Sequence, residues 1–418
     1  MIENGSKISK LQKNMKTEKL PRSFIFLVIF ILALAAAFAV WGVPYFFQPP
    51  QADGISATYG TGTLRARVTE IIEEGQIDLG EISQNYQVMR VELLEGEYAG
   101  ILMEVDFGKR QVRPYFIPFV PGDEIFITLG KRPDGVLSAF YVEFVRSQSL
   151  LLLTGVFVVA ILIISGWKGL RALLAMAFSL FIIVGYIIPH ILAGEDPVTV
   201  SLIGSAVLLG VSLYVTYGWN LKTHASVLSM VLVLVLTGLL AVLFVSLTRL
   251  TGSGSEDALF LAQMSDITIN LRGLLLGGLI IGALGVLDDL VTTQSSAVFE
   301  LHSANPALKF WQLFGTAMRI GQDHVAATVN TLVLAYAGAS LPTLLLFTLG
   351  RGNYGFLLNA EMVAEEIVRT LVGSLGLVAA VPITTIIAVG LALYSHRLGG
   401  LRPFLGPETG SGEHAHHH

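Results

Sequence analysis

The chain has 418 residues, long enough for more than one domain. It is 53% hydrophobic and 14% charged, with a mean hydropathy of +0.68, whereas a soluble globule carries roughly 25% charged residues. Most of it is therefore solvated by something other than water. The net charge of −5 comes with no basic, aromatic-interleaved patch, which excludes a nucleic-acid partner, and the absence of Cys excludes disulfides, thiolate metal sites and a cysteine nucleophile.

Residues 1–22 form a basic tail with Lys7, Lys10, Lys13, Lys16, Lys19 and Arg22. A continuous apolar run from Ser23 to Val43 follows, long enough to cross roughly 30 Å of hydrocarbon. Basic residues before an apolar run also describe a signal peptide. The bulky stretch from Trp41 to Phe47 is unlike a small-residue cleavage site, so residues 23–47 read as an uncleaved transmembrane anchor with a cytoplasmic N-terminus. Gln48 to Gly54, rich in proline, is a linker.

The period then changes from helical to alternating. Five strand-like runs, 63–73, 86–94, 98–107, 124–129 and 138–145, are rich in Val, Ile, Phe and Tyr and are separated by glycine, proline and aspartate turns. They predict a small antiparallel β-barrel over residues 51–148, similar in size to an oligonucleotide/oligosaccharide-binding fold. This segment holds 15 acids against 9 basic residues, which suits an accessory or partner-binding domain outside the cytoplasm.

Residues 149–396 read as a seven-helix membrane domain, with apolar spans near 149–166, 171–193, 198–217, 225–248, 271–290, 325–349 and 370–394. With the anchor this makes about eight transmembrane helices. Lys168, Arg171, Lys222, Lys309, Arg397 and Arg402 fall on one side, and Glu195, Asp196, Glu256, Asp257, Asp266, Glu361, Glu365 and Glu366 on the other. Both termini are then cytoplasmic, in a bacterial cytoplasmic membrane. Segment 256–270 is half-polar and suits the outer interface. Residues 397–418 read as a disordered, His-rich tail without a functional role.

The chemistry concentrates in a hairpin from Gly282 to Ala339. Gly278, Gly282, Gly285 and Asp289 are spaced four, three and four, so they share one helix face, where small residues let a neighbouring backbone approach. Thr293, Ser296 and Glu300 continue that face, and Asp288 lies beside it. After the break at Asn305-Pro306, Arg319, Asp323 and Asn330 line one side of a second helix, flanked by Thr328 and Thr331. Packed antiparallel, the two helices bring Asp289 and Asp323 toward one pocket, with Arg319 able to neutralise one of them. Ionisable groups at membrane depth are functional candidates by default; the bland alternatives are carboxylates at the headgroup boundary and an i,i+4 pair of Arg319 with Asp323. Asp289, Glu300, Asp323 and Asn330 offer oxygen ligands suited to a hard cation or a proton. His302 and His324 lack the spacing of a zinc site and read as interface-level polar residues.

The strings LGVLDDLVTTQSSAVFELHSANP, RIGQDHVAATVNTLVLAYAGASLPTLLLF and RTLVGSLGLVAAVPITT resemble the YibE/F family of bacterial membrane proteins over roughly residues 150–395. The resemblance implies a permease-like helical fold. It matches Asp289 to the acidic position after the glycine run, and Gly321, Asp323, Thr328, Asn330, Thr331 and Tyr336 to a second motif. Gln322 stands where the family more often has Arg.

Three functions compete. A secondary transporter for an ion or small solute fits the carboxylates and the Asn-Pro-broken hairpin. An intramembrane aspartyl protease with Asp289 and Asp323 as its dyad lacks a Gly-x-Gly-Asp motif, since residues 285–288 read Gly-Val-Leu-Asp. A non-catalytic envelope scaffold or sensor would act through the β domain. No GxxxxGK[ST] loop is present. The expectation is a multi-pass transporter rather than an enzyme, needing no cofactor, with lipid and an unidentified solute as partners; a homo-oligomer is compatible with the sequence.

Overall fold

The structure, a computed structural model, describes residues 62–79, 82–110, 112, 116–131, 137–264, 269–349, 354–397 and 405–408. The basic tail, the anchor 23–47, the linker, Asp266 and the His-rich end beyond 408 lie outside the described residues.

Five strands form the first part: β1 (Thr63–Leu79), β2 (Ile82–Leu93), β3 (Leu102–Phe107), β4 (Glu124–Lys131) and β5 (Leu137–Phe144). They close into a barrel in the order β1-β2-β3-β5-β4, with β1 also pairing β4. The expected barrel is present, with one correction to its all-antiparallel pairing: β3 runs parallel to β5. A ring of five cannot alternate direction throughout, so closure itself imposes one parallel seam. Period-2 alternation sends Val68, Met89, Val91, Val105, Phe107, Ile125 and Ile127 inward. Phe119, from the segment before β4, stands edge-on to Phe107 and Tyr141 at 5.0 and 5.3 Å between ring centroids. Buried Gln87 holds it there, accepting from the Phe119 N–H at 2.7 Å and donating to the Phe119 carbonyl at 3.4 Å.

The helical part comprises α1 (Ser147–Ile182), a π-helical turn (Ile183–Ile187), α2 (Ile188–Leu192), α3 (Pro197–Tyr217), α4 (Leu221–Leu247), α5 (Glu256–Met264), α6 (Leu271–Ala304), α7 (Phe310–Ala339), α8 (Leu341–Leu349), α9 (Tyr354–Asn359) and α10 (Glu361–Tyr394). Three long helices start at side-chain caps: Asp196, Asn220 and Asn270 accept from the N–H of Thr199, Thr223 and Gly273 at 2.9, 2.9 and 3.0 Å.

Among the described residues, five helical segments are long and apolar enough to cross a membrane: Ser147–Leu192, Pro197–Tyr217, Leu221–Leu247, Leu271–Ala304 and Glu361–Arg397. The expected spans 149–166 and 171–193 fall in the first of these, a 46-residue run. It is not straight. Gly166 has φ 51° and ψ −126°, and a Cβ on Gly169 would lie 2.8 Å from the carbonyl oxygen of Ile161. Eight residues of uninterrupted helix span about 12 Å, so the chain bends sharply at this glycine. The expected span 325–349 is divided between α7 and α8, because Ser340 ends α7. The nine residues of α5 rise only about 13 Å, too short to cross.

α10 packs against α4, α6 and α7. The main core joins Met230 and Val233 of α4, Ile280, Leu284 and Leu287 of α6, Leu332 of α7, and Leu377 and Val381 of α10. Residues 405–408 correct the expected disordered tail where it is described: the carbonyls of Pro407 and Glu408 accept from Leu221 N and Lys222 N at 2.9 and 3.4 Å. They satisfy two of the amides that the first turn of a helix leaves free, and this ties the segment down.

Candidate functional site

α6 and α7 form the antiparallel hairpin expected across Asn305-Pro306. A Cβ on Gly282 would lie 3.8 Å from the Tyr336 hydroxyl, and one on Gly321 2.8 Å from Gln294 Oε1. This register brings Asp289 and Asp323 within roughly one to two helical turns, about 5–9 Å, of the same level along the pair.

α6 has two unlike faces. Leu276, Ile280, Leu284, Leu287 and Val291 point into the core. Gly278, Gly282, Gly285, Asp289, Thr293 and Glu300 are exposed, with Ser296 half-buried, so the predicted stripe is continuous. The close packing expected on its glycines is made among the described residues only at Gly282, beside Tyr336, whereas a Cβ on Gly278 or Gly285 would meet nothing within 4 Å there. Close approach occurs instead on the buried face, where a Cβ on Gly277 would lie 2.4 Å from Ser201 Oγ. The reason is one of phase. The buried and exposed glycines are adjacent in sequence, and only tertiary packing decides which set meets a neighbour.

Asp288 is half-buried, and its Oδ1 is buried without a hydrogen-bond partner among the described residues. The Tyr217 phenol of α3 stands beside Thr292, with both aspartates in its electrostatic surroundings. The hydroxyls of this stretch are committed to the helix itself: Thr292 donates to the Asp288 carbonyl at 2.8 Å, Thr293 to that of Asp289, and Ser296 to that of Thr292 at 2.7 Å. They can still accept a hydrogen bond, but they do not free a proton to donate.

On α7, Arg319, Asp323, Asn330 and Thr331 are exposed. Arg319 donates to Thr316 Oγ1 at 3.4 Å, and among the described residues no ion pair joins it to Asp323. Nor do three Asp, Glu or His side chains gather in metal-holding geometry among those residues. Asp289, Glu300 and Asp323 therefore do not form one three-carboxylate ligand set among the described residues.

Two features escaped the sequence reading. Gln294, 2% exposed, donates to the Ala317 carbonyl at 3.0 Å and to Thr385 Oγ1 at 2.8 Å, binding α6, α7 and α10 together. Gly321 leaves room for it, since a Cβ there would also lie 2.4 Å from Val381 Cγ1. The second feature is the start of α10. Thr251 Oγ1 and Gly252 N donate to Glu361 at 2.7 and 3.0 Å, and Gly254 N donates to Glu365 at 3.1 Å. Glu366 pairs with Arg369 at 2.6 Å. Three carboxylates and an arginine opening an otherwise apolar helix are the signal in the sequence that could have found it.

Apolar crossing helices around a polar-knotted core, with carboxylates along one hairpin, are the build of a multi-pass helical membrane protein. The sequence profile of the YibE/F-like proteins matches residues 153–393, well over half of the chain, and the chain belongs to that family. The match runs from α1 to α10 and leaves the barrel outside it. No curated protein and no solved structure matches the chain.

Proposed function

We propose that the helical part is a secondary transporter for an ion or small solute, with the exposed face of the α6–α7 hairpin as its path. The observation that carries this reading is Asp288, whose Oδ1 is buried without a donor among the described residues in a helix apolar enough to cross a membrane. A carboxylate oxygen so placed costs several kcal/mol unless a proton or cation satisfies it. Asp289, Thr293, Ser296, Glu300, Arg319, Asp323 and Asn330 extend the polar path from it. The topology that goes with this reading has eight spans in a bacterial cytoplasmic membrane, both termini in the cytoplasm and the barrel outside. The bend at Gly166 supports counting two spans between Ser147 and Leu192. The exposed glycine face of α6 supports a homo-oligomer in which a second copy covers it.

The test is flux in proteoliposomes, screening protons and mono- and divalent cations with pH- and ion-sensitive dyes. Asp289→Asn and Asp323→Asn are expected to abolish flux while the protein stays folded by its elution and melting profile. Normal transport by both variants would refute the site.

A scaffold or sensor is the second reading. It is favoured by the apolar side chains on the barrel surface, Leu102 and Val120, each 56% exposed. Loss of activity on deleting the barrel, with Asp289→Asn silent, would select it.

A further inference from the structure

A cavity of about 540 Å³ opens between α7, α8, the first turns of α10 and the loop at Gly254, separate from the aspartates of the hairpin. Its volume lies within the range of small-molecule sites, about 300–1,000 Å³. Val333, Leu344, Met362 and Leu371 supply much of its wall. The charged lining is Glu256, Glu365 and Glu366 against a single cation, Arg369. Arg369 is committed to Glu366 at 2.6 Å. Glu365 is 7% exposed and is held by one oxygen, Oε1, to Gly254 N at 3.1 Å; its Oε2 has no hydrogen-bond partner among the described residues. The fit between loop and carboxylate is tight, since a Cβ on Gly254 would lie 2.7 Å from Glu365 Cδ. The carboxylate therefore holds a set position in the cavity wall. Tyr336 also lines the cavity.

We propose that this cavity is a binding site for a lipophilic, monovalent organic cation. The apolar walls take the body of such a molecule, and Glu365 balances its charge while Arg369 is occupied by Glu366. An anion would face three carboxylates with one arginine already paired. A small inorganic cation would leave the apolar wall unused. Occupancy of the cavity does not require the hairpin to conduct, and equilibrium binding is read without flux, so this proposal and the transport reading fail separately.

The experiment is equilibrium dialysis of labelled tetraphenylphosphonium against the full-length protein in nanodiscs, with tetraphenylborate as its near-isosteric anion and empty nanodiscs as the partition blank. Saturable binding of the cation alone is expected. Glu365→Gln should weaken it tenfold or more, and Arg369→Gln should tighten it several-fold by removing the one positive charge. Opposite signs for these variants separate charge recognition from partition into an apolar hole. Equal binding of the anion, no saturable binding of the cation, or a weakening by Arg369→Gln would overturn the proposal. Where Glu365→Gln fails to fold, Ala337→Trp decides: it fills the cavity from α7 and must abolish binding, and retention refutes the site.

Discussion

The barrel and the helices distribute polarity in opposite ways. In the barrel, apolar and aromatic side chains fill the interior and charges stand outside in pairs, as with Arg65 and Arg67 on Glu124 at 2.7 and 3.0 Å. In the helical part, the surface of α1 is apolar, with Leu151 71% and Ile164 84% exposed, while Gln294, Thr385, Ser295 and Thr237 are buried. Water accounts for the first arrangement and hydrocarbon for the second. Outside contacts cost the barrel nothing if they are charged, and cost a membrane helix nothing if they are apolar. Gln294 and Ser295 donate to carbonyls of neighbouring helices, Ala317 and Lys222, which fixes neighbours where the hydrophobic effect no longer drives them together, while Thr237 and Thr385 donate to carbonyls of their own helices.

The largest test of this contrast puts one charge on each surface. Val156→Asp, midway along the first arm of α1, is expected to cost about 2.5–3.5 kcal/mol of insertion and to reduce the membrane-integrated fraction, read by alkaline extraction. The same change at exposed Val142 of β5 should alter stability by less than roughly 1 kcal/mol, since β-propensity spans no more. Equal losses at both sites would end the comparison. A middle-sized effect is expected inside the barrel. Gln87→Ala strips the Phe119 N–H of its buried partner and should destabilise by about 1–3 kcal/mol, seen as faster hydrogen exchange in β2 and β4 of the full-length protein.

The smallest effect concerns the barrel's surface charges. The guanidinium of Arg67, with that of Arg65, holds the Glu124 carboxyl below the usual carboxylate range. A folded value lowered in this way contributes stability that is fully present above the unfolded value near 4 and is lost as pH falls through the lower folded one. Because the pairs are partly exposed, the loss should be under about 1 kcal/mol. Glu124→Gln should therefore remove this small contribution at neutral pH, flatten the acid limb of barrel hydrogen exchange slightly, and converge with the parent chain at low pH.

Local rules already carried much of this protein in its sequence. Alternation at period 2 marked five strands because each residue's face follows from its neighbour's. Apolar runs marked the helices because hydropathy acts within a few residues. The stripe from Gly278 to Glu300 was legible for the same reason, since helical spacing alone puts those residues together. Which glycines meet a neighbour was decided only by tertiary structure, and it chose Gly277 and Gly321 over Gly278 and Gly285. The parallel β3–β5 seam needed the closed ring, and the sharp bend at Gly166 needed a backbone angle that composition does not reveal. Glu365 gained its place in a cavity wall only when a loop more than a hundred residues earlier folded onto it. Contacts of that range depend on how whole helices pack, which no local period encodes.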